Sequence, residues 1–253
     1  MKLALFGYGR MGRAVEEVAK ERGHQITAAL DVDSNAGGRG ITAKSLGGAR
    51  VAVDFSRADA VLDNVRKAAA LGVGVVVGTT GWEGQAKEVE AAVQKAGTGL
   101  LVAPNFSIGM LLFSRVVEVA AHIANGLDDY DVHLREAHHR HKTDHPSGTA
   151  RRLAEILVRV LDRKEGWETI LPDGEAVDPR VLQVAVTRSG EILGLHEIVL
   201  EGPDDRILLR HEALSRKGLA RGAVLAAEWL EGRAGIHTLA DLMDDLLSGR
   251  APA

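Results

Sequence analysis

The segment Gly7-Tyr8-Gly9-Arg10-Met11-Gly12 constrains this chain most, because it stands between the apolar run Leu3 to Phe6 and an amphipathic stretch from Arg10 to Arg22. A glycine turn that leaves a buried strand and opens a helix gathers backbone N–H groups and the positive helix end in one space, where a pyrophosphate can be held. The chain has 29 glycines, so the spacing alone carries little weight and its context decides. That context continues down the chain. Short apolar runs at Gln25 to Leu30, Arg50 to Asp54, Gly74 to Val77 and Leu100 to Ala103 alternate with helical periodicity over Ala58 to Leu71 and Gly84 to Ala96. Such alternation predicts a parallel sheet with helices on both faces.

In an open sheet of this kind, the Rossmann type of α/β fold, ligands bind beyond the carboxyl ends of the strands. Four such ends carry glycine or polar tips: Gly7 to Gly12, Asp54-Phe55-Ser56, Gly78-Thr79-Thr80-Gly81 and Pro104-Asn105-Phe106-Ser107. Together they are expected to line one crevice. Asp31 closes the second strand, where a dinucleotide site needs a carboxylate to accept bonds from the adenosine ribose hydroxyls. A turn aspartate would look the same in isolation. Val32 follows it, where a site for a 2′-phosphate would place an arginine, so NADH is expected in preference to NADPH. Arg39 or Lys44 in the next loop keeps NADPH open.

After a helical stretch from Ile108 to Ala124 the character changes. Tyr130 to Ala137 alternates like a strand, a polar loop runs to Gly148, and Thr149 to Leu161 reads as a helix. Three strand-like runs, Leu182 to Arg188, His196 to Leu200 and Arg206 to His211, follow with short turns and predict an inserted α+β domain with a mainly antiparallel sheet. Gly166 to Pro179 reads as an exposed loop. Helices over Gly218 to Leu230 and Leu239 to Leu247 are expected to return to the first domain. Residues 1–107 and 217–253 then form a dinucleotide-binding domain, and residues 108–216 form the second, with hinge closure expected near Ser107 and Arg216.

Composition narrows the function classes. A formal net charge of -4 gives no overall attraction to nucleic acid or anionic lipid, and 4% aromatic residues argue against base-stacking platforms. With no cysteine, thiolate metal sites and cysteine nucleophiles are excluded and redox chemistry requires a bound cofactor. Met1 to Phe6 lacks the features of a signal peptide, and no apolar stretch reaches the roughly 18 to 20 residues of a membrane span. A cytoplasmic location is the expectation, without nucleic-acid or membrane partners.

The densest chemistry lies in Glu136-Ala137-His138-His139-Arg140-His141-Lys142-Thr143-Asp144-His145-Pro146-Ser147-Gly148-Thr149. A zinc site is disfavoured because no H-E-x-x-H or comparable frame is present. A solvated basic loop would leave the Pro-Ser-Gly-Thr that follows without explanation. An anion site with acid–base groups accounts for both halves: Ser147, Gly148 and Thr149 open a helix and present amides and hydroxyls, while histidine and lysine neutralise the anion and move protons near neutral pH.

The glycine loop, Gly78-Thr79-Thr80-Gly81, Pro104-Asn105-Phe106-Ser107 and above all the Glu136 to Lys142 and Pro146 to Thr149 segments together resemble the 4-hydroxy-tetrahydrodipicolinate (dihydrodipicolinate) reductase family. The resemblance spans nearly the whole chain. It implies NAD(P)H-dependent reduction of a cyclic dicarboxylate, with loss of water, in the diaminopimelate route to lysine. It also implies a homotetramer built through the sheet of the second domain, which becomes the substrate-binding and oligomerisation domain. By the match of motifs, His138 corresponds to the proton donor/acceptor and Lys142 to a proton donor, with His139, Gly148 and Thr149 at substrate-binding positions. Gly7, Tyr8, Gly9, Arg10, Met11, Gly12, Asp31, Gly78, Thr79, Thr80, Ala103, Pro104, Asn105 and Phe106 correspond to cofactor-binding positions; no metal is implied. Val32 departs from the pattern, since many relatives carry arginine there. Two other readings stay open from the residues alone: a different NAD(P)-dependent amino-acid or hydroxy-acid dehydrogenase, and a non-catalytic NADH-binding sensor.

Overall fold

A computed structural model of the chain describes residues 1–171, 173–215 and 217–250. The chain divides into two compact units, one of Met1–Ile108 with Arg216–Ala253 and one of Gly109–Ser215. The proposed hinge position at Arg216 lies outside the described residues, as do Pro172 of the expected loop and the last three residues of the expected first domain.

The first unit opens with strand β1 (Lys2–Phe6), helix α1 (Arg10–Glu21), β2 (Gln25–Leu30), a one-turn α2 (Ala43–Leu46) and β3 (Val51–Asp54). It continues with α3 (Val61–Ala70), β4 (Gly74–Val77), α4 (Ala86–Ala96) and β5 (Gly99–Val102). The strands β3 and β4 are buried at every position, as their unbroken apolar runs require in a sheet covered on both sides. The α2 turn, held by a capping box between Thr42 and Ser45, and short 3-10 turns at Ala36–Gly38, Ala58–Ala60 and Glu83–Gln85 were not anticipated from periodicity, which needs longer windows.

The second unit contains α5 (Ile108–Asn125), β6 (Asp131–His138), α6 (Gly148–Val160), β7 (Gly166–Glu168), β8 (Val181–Arg188), β9 (Leu195–Glu201) and β10 (Arg206–Glu212). Its strands stand in the order β10-β9-β6-β8-β7. The sheet is mixed: β9 runs antiparallel to β6 and β10, whereas β8 runs parallel to both β6 and β7. Closeness in sequence suggested that β8 and β9 would pair; instead β6 lies between them. The β7 strand also corrects the reading of Gly166 to Pro179 as loop throughout. Met110, Phe113 and Val117 of α5, and Leu153, Ala154 and Leu157 of α6, pack on Leu134, Leu182, Val184, Ile198 and Leu200. By length and composition α5 is long and apolar enough to cross a membrane, a correction to the expectation that no segment qualifies. One face nevertheless belongs to this core, and Arg115, Glu118 and His122 break the apolar character of its sequence.

The chain then returns to the first unit with α7 (Lys217–Leu230), β11 (Gly235–Thr238) and α8 (Leu239–Leu247). The first sheet is parallel and six-stranded, in the order β11-β5-β4-β3-β1-β2. Alternate side chains separate its faces: Ala4, Phe6, Ala52, Val75, Val77 and Leu100 pack with Val61, Val65, Val89 and Val93 of α3 and α4. On the other side, α7 lies against β3, β4, β5 and α1. A Cβ on Gly222 of α7 would fall 1.8 Å from the Phe106 carbonyl oxygen, so glycine there lets the helix press onto the loop that follows β5.

Candidate functional site

In the first unit the order of strands reverses between β1 and β3, and a crevice of about 570 Å³ opens there, beyond their carboxyl ends. Backbone bonds carry the strand ladder into the tips: Gly7 N donates to Leu30 O, Phe55 N to Phe6 O, Gly78 N to Asp54 O and Ala103 N to Val77 O. The four predicted loops are thereby aligned along one edge of the sheet. Gly7 has a φ of +85°, and a Cβ there would lie 2.4 Å from the Phe55 carbonyl oxygen. A Cβ on Gly12 would lie 2.2 Å from Gly7 O, whereas Gly9 faces open space. The three glycines thus divide into two that permit close packing and one that leaves the approach to α1 clear. Gly9 caps α1 without a side-chain bond, so the helix N-terminus keeps donors for an anion. This arrangement fits a dinucleotide pyrophosphate.

Asp31 and Val32 line the same crevice with Gly7 and Gly9. One Asp31 oxygen accepts from Val32 N at 2.9 Å, and Ser34 Oγ accepts from Asp31 N at 2.8 Å. These bonds fix the turn, and Asp31 stays exposed at the crevice. Val32 is 59% exposed. Tyr8 bonds Glu16 and lies under Arg13, so its ring folds back over α1. Arg10 and Met11 form the first turn of that helix. Gly78, Thr79 and Thr80 follow β4, and Ala103 to Phe106 follow β5. Phe106 is 1% exposed and meets Phe55 edge to face at 5.9 Å, while α7 packs against its carbonyl at Gly222, so this residue serves packing. A Cβ on Gly78 would enter the Phe55 ring at 2.1 Å. Phe55 is therefore the peg around which these loops close, a role the sequence did not reveal.

In the second unit the candidate chemistry gathers at one end of the mixed sheet. Alternation along β6 places Glu136 and His138 on the face that carries the core. The register sets Glu136 opposite His196 of β9 and His138 opposite Arg188 of β8. Glu136 is buried, with Oε2 standing 2.8 Å from His138 Nδ1. Its Oε1 accepts from Arg188 Nη2 at 2.8 Å and from Ser147 N at 2.9 Å. Burial alone would raise the Glu136 carboxyl, but the bonds from His138, Arg188 and Ser147 overcome it and hold the group at about 2. An ionised carboxylate only accepts, so His138 Nδ1 carries hydrogen and Nε2 is the atom left to exchange a proton. A Cβ on Gly194 would lie 3.1 Å from that Nε2; glycine keeps space beside it.

His196 stands edge-on to His138, ring centres 5.2 Å apart, with Nε2 3.3 Å from Ser147 Oγ. Burial and the nearby His138 depress its pKa to about 4, so it is neutral at pH 7. Ser147 Oγ also accepts from Ala150 N at 3.1 Å, capping α6 and leaving the amides of Gly148 and Thr149 at the helix start. Lys142 is half-buried, with Nζ 2.8 Å from Asp144 Oδ1, and its backbone N bonds the His139 carbonyl at 3.1 Å. His139 is half-buried and tilts against His141. Glu136, His138 and His196 also bring three potential metal ligands within 4.8 Å of one another. Arg188 and Ser147 donate to Oε1 of the same carboxylate, and a guanidinium already paired with Glu136 favours an acid–base cluster over a second cation there. Sequence reasoning quoted Glu136 without giving it a role and missed Arg188, Gly194 and His196. A histidine within the otherwise buried run of β9 was the available signal for the last.

Residues 1–106 match the family model described as "Dihydrodipicolinate reductase, N-terminus", and residues 109–243 match "Dihydrodipicolinate reductase, C-terminus". A 4-hydroxy-tetrahydrodipicolinate reductase of Christiangramia forsetii is 35% identical over 248 residues, covering 97% of this chain and 99% of that protein. One from Thiobacillus denitrificans is 38% identical over 268 residues, covering 96% and 98%. Among solved structures, a dipicolinate-bound dihydrodipicolinate reductase from Paenisporosarcina sp. TG-14 superposes with a TM-score of 0.72 at 21% identity, over 94% of this chain and 97% of that one.

Proposed function

The chain belongs to the dihydrodipicolinate reductase family, and from that premise we propose that His138 and Lys142 manage the protons of its reaction. The enzyme reduces 4-hydroxy-tetrahydrodipicolinate to tetrahydrodipicolinate, with loss of water, in lysine biosynthesis through diaminopimelate. Bound NAD(P)H supplies the hydride. The observation that carries the assignment is the 2.8 Å approach of His138 Nδ1 to the buried Glu136 carboxylate. It orients the imidazole and sets Nδ1 against the carboxylate, so that Nε2 is the atom that can give a proton to the substrate and recover it. Lys142 offers a second donor. Gly148 and Thr149 at the start of α6, with His139, receive the substrate carboxylates.

Coupling the purified chain to the preceding synthase, with pyruvate and aspartate semialdehyde, tests the activity. Protein-dependent loss of NADH absorbance is expected, and its absence would reject the assignment.

NADH is the preferred cofactor in this reading. Asp31 accepts from the ribose hydroxyls but repels a 2′-phosphate, and Val32 offers that phosphate no cation. Fluorescence titrations should therefore give a lower dissociation constant for NADH than for NADPH; the reverse order would overturn the preference. The remaining cofactor contacts are assigned to Gly7 through Gly12, Gly78 through Thr80 and Ala103 through Phe106.

The reading includes a cytoplasmic homotetramer joined through the second sheet. Support comes from β10, an edge strand that exposes Ile207 by 47% and Leu208 by 50% and so invites coverage. Sedimentation equilibrium is expected to return the tetramer mass; a monomer mass at assay concentration would contradict it.

A further inference from the structure

We propose that Asp54 is the positioning residue of the dinucleotide crevice, fixing the loops after β2, β3 and β4 through one buried hydrogen-bond network. Asp54 ends β3 and is fully buried. Its Oδ1 accepts from Ser56 N at 2.9 Å, Ser56 Oγ at 2.6 Å and Thr79 Oγ1 at 2.8 Å. Its Oδ2 accepts from Asn64 Nδ2 at 2.9 Å. Asn64 in turn accepts from Asn35 Nδ2 at 2.8 Å, and Asn35 Oδ1 accepts from Gly40 N at 3.1 Å.

Four donors converge on this carboxylate, and no cation is bonded to it among the described residues. That is a costly arrangement to bury, and it lies directly beneath the crevice, whose wall includes Asn35, Ser56 and Asn64. Burial pushes the Asp54 carboxyl up, against the four bonds, yet each bond is satisfied only by an acceptor. The network also explains Thr79. Its hydroxyl turns inward to Asp54 while its carbonyl accepts from Trp82 Nε1 at 2.8 Å, so its side chain serves the loop's position and not a direct cofactor contact. Asp54 thus acts on the cofactor through the loops it ties.

The inference rests on the reading of the crevice as the NADH site, and direct binding measurements separate the two. Asp54→Asn keeps the three bonds at Oδ1 but turns an amide toward the Asn64 amide, setting donor against donor. The dissociation constant for NADH, followed by fluorescence, should rise roughly tenfold, with KM for NADH rising alongside and kcat at saturation nearly unchanged. The reciprocal exchange Asp54→Asn with Asn64→Asp restores every donor to an acceptor and should recover most of the affinity. Thermal unfolding of each variant identifies the folded ones. Wild-type protein that fails to bind NADH would defeat the crevice assignment itself. Unchanged NADH affinity in folded Asp54→Asn, or no recovery in a folded reciprocal variant, would overturn the role of Asp54.

Discussion

His138→Gln is expected to lower kcat by at least about 10²-fold while leaving NADH affinity intact. Glutamine keeps a donor that can face the Glu136 carboxylate, so the local packing survives, but it cannot cycle a proton at the position of Nε2. The crevice proposed for the dinucleotide is lined by residues of the first unit, so a change in β6 leaves its lining in place. Lys142→Ala removes the second proton donor and should likewise reduce kcat. Glu136→Gln belongs in the same series: it preserves size while losing the charge that holds the His138 tautomer, and should reduce turnover less than loss of the imidazole. Steady-state kinetics with parallel fluorescence titration of NADH makes the comparison. A His138→Gln enzyme with wild-type kcat would remove His138 from the chemistry, and a large loss of NADH affinity would contradict the separation of roles.

The second large effect concerns acid stability. In the folded protein His196 is held at about 4, chiefly by burial and then by His138, against an ordinary value of about 6.5. The unfolded chain therefore binds a proton that the folded chain refuses, and stability falls as pH drops from about 6.5 toward 4. The expected loss over that window is about 3 kcal/mol. Glu136 acts lower. Its folded value of about 2 lies below an ordinary carboxyl, so its contribution is complete above about 4.5 and is lost as pH falls toward 2. His196→Gln should flatten the upper limb and leave the lower one. Urea unfolding across pH 3 to 8 reads both, and an unchanged slope between pH 4 and 6.5 in His196→Gln would refute the assignment.

Much of the first unit was legible because its signals are local. A glycine turn between a strand and a helix, an aspartate closing β2, and unbroken apolar runs each declare themselves within a few residues. β11 did not, because Gly235-Ile236-His237-Thr238 has one large apolar residue and gains strand character only by pairing with β5. The pairing of β8 was illegible for a related reason: alternation reports which residues share a face, not which strand lies alongside. The Glu136 to Thr149 segment was visible as an unusual run of histidines, but its electrostatics were not. Arg188, Gly194 and His196 reach Glu136 and His138 only through the register of the second sheet, and nothing in a linear sequence gives that register. Asp54 was quoted as a strand tip, and its burial and four donors emerged only when the loops were placed.

The first unit is interrupted in the chain, and this sets an order on its making. During synthesis β5 emerges before β11 and so leaves one edge of the sheet open, and the sheet face that α7 covers stays bare until residues beyond 216 appear. Gly109–Ser215, by contrast, is one continuous segment that carries its own core. A nascent chain can finish the second unit while the first sheet still waits for its last strand. During that interval the open edge and bare face of the first sheet are the surfaces most exposed to wrong pairing.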